Sequence, residues 1–139
     1  NAIEEVVRIL KPGGKFVFCT LLEGTLTELK QAWAEVDDDQ HVKDFHQIKQ
    51  LNDIFQQCDV SIVEQKEQDI VLEYASVIHL AHELKGLGAN FVPLKKQKGL
   101  AGKGKWQQMS NVYQQFTLHD GIVPATYCLY LVCLEKTND

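Results

Sequence analysis

Arg8-Ile9-Leu10-Lys11-Pro12-Gly13-Gly14-Lys15-Phe16-Val17-Phe18-Cys19-Thr20-Leu21 passes from a helix pattern to a strand pattern with two glycines between them. Upstream of it, Ile3, Val6, Val7 and Leu10 recur at the spacing of one apolar helix face. Pro12 has no amide proton and pushes Lys11 out of the helical region, so the helix stops. Gly13 and Gly14 permit the positive φ of a tight reversal, and strand residues follow at once. A short apolar strand fed by a helix predicts an α/β domain in which this strand, Lys15 to Leu22, is parallel and covered on both faces.

Working outward, Glu23-Gly24-Thr25 reads as a turn with Thr25 as helix cap and Glu28 at the third helical position, a capping-box pattern. Leu26, Leu29, Trp33 and Val36 form the stripe of that helix, which should stop near Asp37-Asp38-Asp39. A second helix, Phe45 to Cys58, carries Ile48, Leu51, Ile54 and Phe55 on one side. Two short helices between strands predict a cap over the sheet edge. Val60 to Tyr74 reads as strand, with the alternation blurred at Val63 and Val71. A third helix, Ser76 to Lys85, ends at Gly86 and Gly88, and Lys105 to Phe116 forms a fourth with Trp106, Met109, Tyr113 and Phe116 on one face. Thr126 to Leu134 is apolar on both faces and belongs in the middle of a sheet. No internal repeat or domain boundary is visible, so residues 1–139 read as a portion of a single domain. Because the chain opens inside a helix pattern without a methionine, it reads as a piece of something larger.

No run approaches the roughly 18 apolar residues of a membrane span. Cys19, Cys58, Cys128 and Cys133 lack metal-ligand spacing and are expected to be buried, reduced thiols of a cytoplasmic protein. Between Leu84 and His119 there is no Asp or Glu, whereas Lys85, Lys95, Lys96, Lys98, Lys103 and Lys105 all fall there. This window carries +6 and, with a net charge of −5, leaves −11 on the remainder. Such polarity predicts a docking face for an acidic partner and not for nucleic acid, which calls for a basic domain. Gly99 to Lys105 has the spacing of a phosphate-binding loop, but Trp106 stands where a magnesium-holding hydroxyl is required and no buried strand precedes it. The stretch Lys95 to Lys105 therefore reads as a glycine-rich basic loop. His79 and His82 are three apart on a helix, but no third ligand is apparent, so no metal site is expected; His41, His46 and His119 have no assigned role.

Leu10-Lys-Pro-Gly-Gly before an apolar strand resembles the turn before the fifth strand of class I S-adenosylmethionine-dependent methyltransferases. Thr20 to Leu29, Ala32-Trp33, Val36-Asp37, Leu84 to Ala89 and Pro124 to Tyr127 are similar, in order, to the malonyl-[acyl-carrier protein] O-methyltransferase family of biotin synthesis. The resemblance implies the C-terminal half of a Rossmann-like fold: a mixed sheet with helical lid insertions, and a last strand antiparallel between the fifth and sixth. The cofactor-binding N-terminal half, with its glycine-rich loop and acidic residue, is then expected upstream of Asn1, so this portion alone should neither bind S-adenosylmethionine nor be active.

In such sheets ligands sit outside the carboxyl ends of the strands. That rule and the resemblance together single out Thr20 and Leu21, the region near Tyr74, and Thr126 and Tyr127 as substrate-binding, with Trp33, Lys85, Gly86 and Gly88 as a lid. Lys85 is the candidate to fix a substrate carboxylate, while Lys95, Lys96, Lys98, Lys103 and Lys105 would dock an acyl-carrier protein or a coenzyme A thioester. No catalytic residue is assigned, because a malonyl carboxylate is already ionised at neutral pH and needs no general base. Two alternatives stay open: a class I methyltransferase acting on a quinone precursor, and a non-catalytic binding module with a basic loop. A further expectation is self-association through an exposed sheet edge.

Overall fold

The computed structural model describes residues 2–86 and 100–137, with the side chains of 100 and 101 excepted. In chain order the elements are α1 (Ala2–Ile9), β1 (Lys15–Leu21), α2 (Thr27–Ala34), α3 (Ile48–Gln56), β2 (Val60–Tyr74), α4 (Val77–Gly86), α5 (Leu100–Tyr113) with a 3₁₀ turn at Gln114–Phe116, and β3 (Val123–Lys136). The three strands form one sheet in the order β1-β3-β2. Described residues group into two compact units, one from Asn1–Glu23, Phe45–Ile70 and Cys128–Asp139, the other from Gly24–Asp44 and Val71–Tyr127. Gly88, Lys95, Lys96 and Lys98 lie outside the described residues.

In the first unit the Pro12-Gly13-Gly14 reversal is fastened to the end of β3. The Gly13 amide donates to the Lys136 carbonyl and the Lys136 amide to the Gly14 carbonyl, each at 2.8 Å. Lys136 Nζ adds a 2.8 Å bond to the Leu10 carbonyl, satisfying a helix-end acceptor. Gly13 sits at φ +83°, a left-handed value that favours glycine. From there β1 runs antiparallel to β3, from Lys15 opposite Glu135 to Leu21 opposite Leu129. Outside the named strands, Leu22 forms an isolated parallel bridge with His46.

Alternation along the strands decides which side is packed. Phe16, Phe18, Tyr130, Val132 and Leu134 join Leu51 and Phe55 of α3 in one apolar cluster. The opposite side stays open, with Val17 73% and Leu131 40% exposed. This corrects the expectation of a parallel β1 covered on both faces: among the described residues its neighbour is the antiparallel β3, and helix packing covers one face. It also corrects the expected cap, since α3 lies on the sheet's inner face. The cysteines depart from expectation too, Cys19 being exposed and Cys58, Cys128 and Cys133 half-buried, because Cys19 alternates onto the open side.

β2 is continuous over its whole span and exposed along most of it. Its charged residues, Glu64, Lys66, Glu67, Asp69 and Glu73, suit an edge strand, where they oppose pairing with another chain. In the second unit, Leu26, Leu29, Trp33, Leu80, Leu84, Met109, Tyr113 and Val123 are buried. Residues 100–105, read from sequence as the end of a basic loop, are helical. No described helix is long and apolar enough to cross a membrane.

Leu134 is fully buried in the α3 cluster. Leu134→Ala is expected to lower the unfolding free energy in urea by about 3 kcal/mol, whereas Val17→Thr should change it by less than about 0.5 kcal/mol; equal losses would show that the packed face has been misassigned.

Candidate functional site

The helix-capping pattern after β1 is used differently from its sequence reading. Thr25 is wholly buried, and the residue preceding α2 is Leu26, at φ 58° and ψ 33° with no side-chain cap bond. A leucine held in the left-handed region costs about 1–2 kcal/mol relative to the right-handed one. Gly24 beside it, at φ 102°, carries the reversal. What holds Leu26 there is the far end of the chain: its amide donates to the Thr126 carbonyl at 2.7 Å.

Glu28 completes that attachment. Instead of reaching back to its own helix end, its carboxylate turns inward, 8% exposed, and accepts the Thr126 amide at 2.9 Å and the Thr126 hydroxyl at 2.6 Å. Tyr113 donates from its hydroxyl to the Pro124 carbonyl at 2.6 Å. Tyr127 and Tyr74 hydroxyls lie 2.8 Å apart, and Tyr74 donates onward to Glu83. The segment Pro124 to Tyr127 is thus gripped by α2, α5 and the end of β2, all within the second unit, with α4 holding Tyr74 through Glu83. Glu28 and Glu83 draw two hydroxyl protons and one amide proton between them.

Phenol ionisation is suppressed throughout this network. Burial pushes Tyr74 up most, with its hydrogen bond to Glu83 adding to the effect. Burial and then the Glu28 charge raise Tyr113. Tyr127 is raised by burial, against the opposing bond from Tyr74.

A second cluster surrounds Trp33. The His41 ring stacks on the indole at 3.7 Å between centroids and 13° between planes. His41 Nε2 lies 2.9 Å from Asp37, whose other oxygen is 3.3 Å from Lys105 Nζ. Trp106 meets Trp33 edge-on at 6.3 Å. The Trp33 indole nitrogen is buried and has no hydrogen-bond partner among the described residues. A cavity of about 360 Å³ is lined by Trp33, Asp37, Asp39, His41 and Asp44. Asp37, Asp39 and His41 bring ligand atoms within 4.8 Å of one another, but the Lys105 ammonium already supplies positive charge to Asp37.

The sequence-predicted site residues are divided by this arrangement. Trp33, Lys85, Gly86, Thr126 and Tyr127 belong to the second unit, Thr20 and Leu21 to the first. Lys85 and Gly86 end α4 and are exposed. Of the docking lysines within the described residues, Lys103 is exposed on α5, while Lys105 is engaged with Asp37. His79 and His82 line a groove of about 580 Å³ with Glu73, Tyr74 and Glu83. The sequence reading missed Glu28 as a link to Thr126, Glu83 as the acceptor for Tyr74, and His41. Only the Asp37/His41 spacing of four carried a local signal.

Because the folded form holds these phenolic protons more tightly than the unfolded chain, the stabilisation they give is complete below about pH 10 and lost as pH rises beyond it. Absorbance at 295 nm should therefore show Tyr74, Tyr113 and Tyr127 ionising only together with unfolding. Phenolates that all appear near pH 10 with native circular dichroism intact would contradict the network.

No family model matches the chain. It is 37% identical over 135 residues to the biotin biosynthesis bifunctional protein BioHC of Teredinibacter turnerae, covering 97% of this chain and 24% of that protein. Against the malonyl-[acyl-carrier protein] O-methyltransferase of Herminiimonas arsenicoxydans it is 32% identical over 137 residues, covering 99% of this chain and 53% of that one. Against malonyl-[acyl-carrier protein] O-methyltransferase 1 of Coxiella burnetii it is 34% identical, with 91% and 44% covered. The chain spans about half or less of the length of these relatives. Along nearly its whole length, then, the chain is similar to one portion of proteins named malonyl-[acyl-carrier protein] O-methyltransferase.

Proposed function

We propose that the protein of which this chain forms part transfers a methyl group from S-adenosylmethionine to the free carboxylate of a malonyl thioester, on acyl-carrier protein or coenzyme A, in biotin synthesis. The observation that carries this reading is similarity along nearly the whole chain to proteins bearing that name; those names give no support to a quinone precursor or a non-catalytic module. The described residues do not fit the cofactor's own cradle. The strand-to-helix turn Glu23–Leu26 directs its Leu26 amide to Thr126 and offers no glycine-rich helix start for a nucleotide. Binding of S-adenosylmethionine is assigned to residues outside this chain. These residues fall to the acceptor side of a Rossmann-like class I fold.

An ionised carboxylate is a competent nucleophile, so the acceptor side needs orientation and charge complementarity more than proton transfer. Lys85, exposed at the end of α4, is proposed to meet that carboxylate. Lys95, Lys96, Lys98 and Lys103 are proposed to meet the acidic carrier, with Lys105 sharing its charge with Asp37. The cytoplasm, where free thiols persist, is the proposed location.

Incubating the complete gene product with methyl-labelled S-adenosylmethionine and malonyl-acyl-carrier protein should place base-labile label on the thioester; cofactor binding without such label would remove the reading. Charge reversal at Lys95, Lys96 and Lys98 should raise KM for the carrier substrate about tenfold at low salt and much less at high salt, with malonyl-coenzyme A little affected. An unchanged KM would remove the docking surface.

A further inference from the structure

Two arrangements in the second unit are energetically unfavourable. The Glu28 carboxylate is buried yet meets neutral donors, the Thr126 amide and hydroxyl, with no cation at ion-pair distance among the described residues. Leu26, two residues before it, is held at positive φ by a hydrogen bond to the same Thr126. A buried anion and a strained non-glycine residue persist only where the surroundings over-determine them, and such features gather at functional sites. Both here converge on one residue of β3 and fix one turn, Gly24 to Thr27, the segment that follows β1 in the chain.

Donor bookkeeping sharpens the point. Thr126 gives its amide and hydroxyl protons to Glu28, and the Tyr74 hydroxyl proton goes to Glu83 with Tyr127 alongside. Thr126 therefore has no proton left for a substrate carboxylate; its part is to be held in place.

We infer that Glu28 is a positioning residue for the acceptor substrate, acting through Thr126 to lock the Gly24–Leu26 turn in one conformation. This rests on the methyl-transfer reading above. Glu28 touches no reacting atom. Its substitution alters where the turn and the start of β3 stand, and a displacement of about 1 Å in a positioning element is enough to lower turnover about a hundredfold.

The test uses the complete gene product with malonyl-acyl-carrier protein and S-adenosylmethionine, comparing wild type with Glu28→Gln, Thr126→Val, Thr126→Ser and the Glu28→Gln/Thr126→Val pair. Thermal melting identifies any variant that fails to fold, and the two Thr126 variants keep the test independent of Glu28 tolerance. The expected result is a loss in kcat of about 10- to 100-fold for Glu28→Gln and Thr126→Val, with cofactor affinity unchanged. Thr126→Ser, which keeps the hydroxyl, should restore activity, and the double variant should be no worse than the poorer single one. An active wild type whose Glu28→Gln and Thr126→Val variants keep kcat, or lose it only in proportion to unfolded protein, overturns this inference alone. A wild type that labels no malonyl thioester removes the methyl-transfer reading and this inference with it.

Discussion

β3 is hydrogen-bonded on both edges, to β1 on one side and β2 on the other, and what each unit does depends on its residues. In the first unit Tyr130, Val132 and Leu134 supply the surface on which Leu51 and Phe55 pack. In the second, Pro124, Thr126 and Tyr127 receive Tyr113, Glu28 and Tyr74. These contacts join positions far apart in sequence, Glu28 and Thr126 being 98 residues apart. They recover their loop-closure entropy only when the strand is in place, which makes β3 the step on which both units wait.

The parts of the fold legible in the sequence are those written in local chemistry. Pro12-Gly13-Gly14 ends α1 because proline and glycine act through their own backbone, whatever surrounds them. The interior position of β3 follows from an apolar run too long to be an edge. What was not legible depended on partners that the spacing does not show. Thr25 and Glu28 carry the letters of a capping box, but Thr126 competes for the Glu28 carboxylate, and a tertiary bond to two donors prevails over a local cap. β1 has the composition of a strand buried on both sides, yet helix packing reaches only its Phe16 and Phe18 face. His41 gave no signal beyond its distance from Asp37, because a ring stacked on Trp33 leaves no trace in composition.

The tyrosines of the candidate site are held protonated by burial. The frame itself is fixed by the buried Glu28 carboxylate and by hydroxyls that meet carboxylates and carbonyls within one unit.

Native-state hydrogen exchange resolved by residue examines the role of β3 most directly. Amides from Leu129 to Leu134 are predicted to fall in the slowest class, exchanging only through global unfolding. Exchange of those amides as fast as in the loop 35–44, while α2 or α3 stays protected, would show that both units hold together without β3 and would contradict the account.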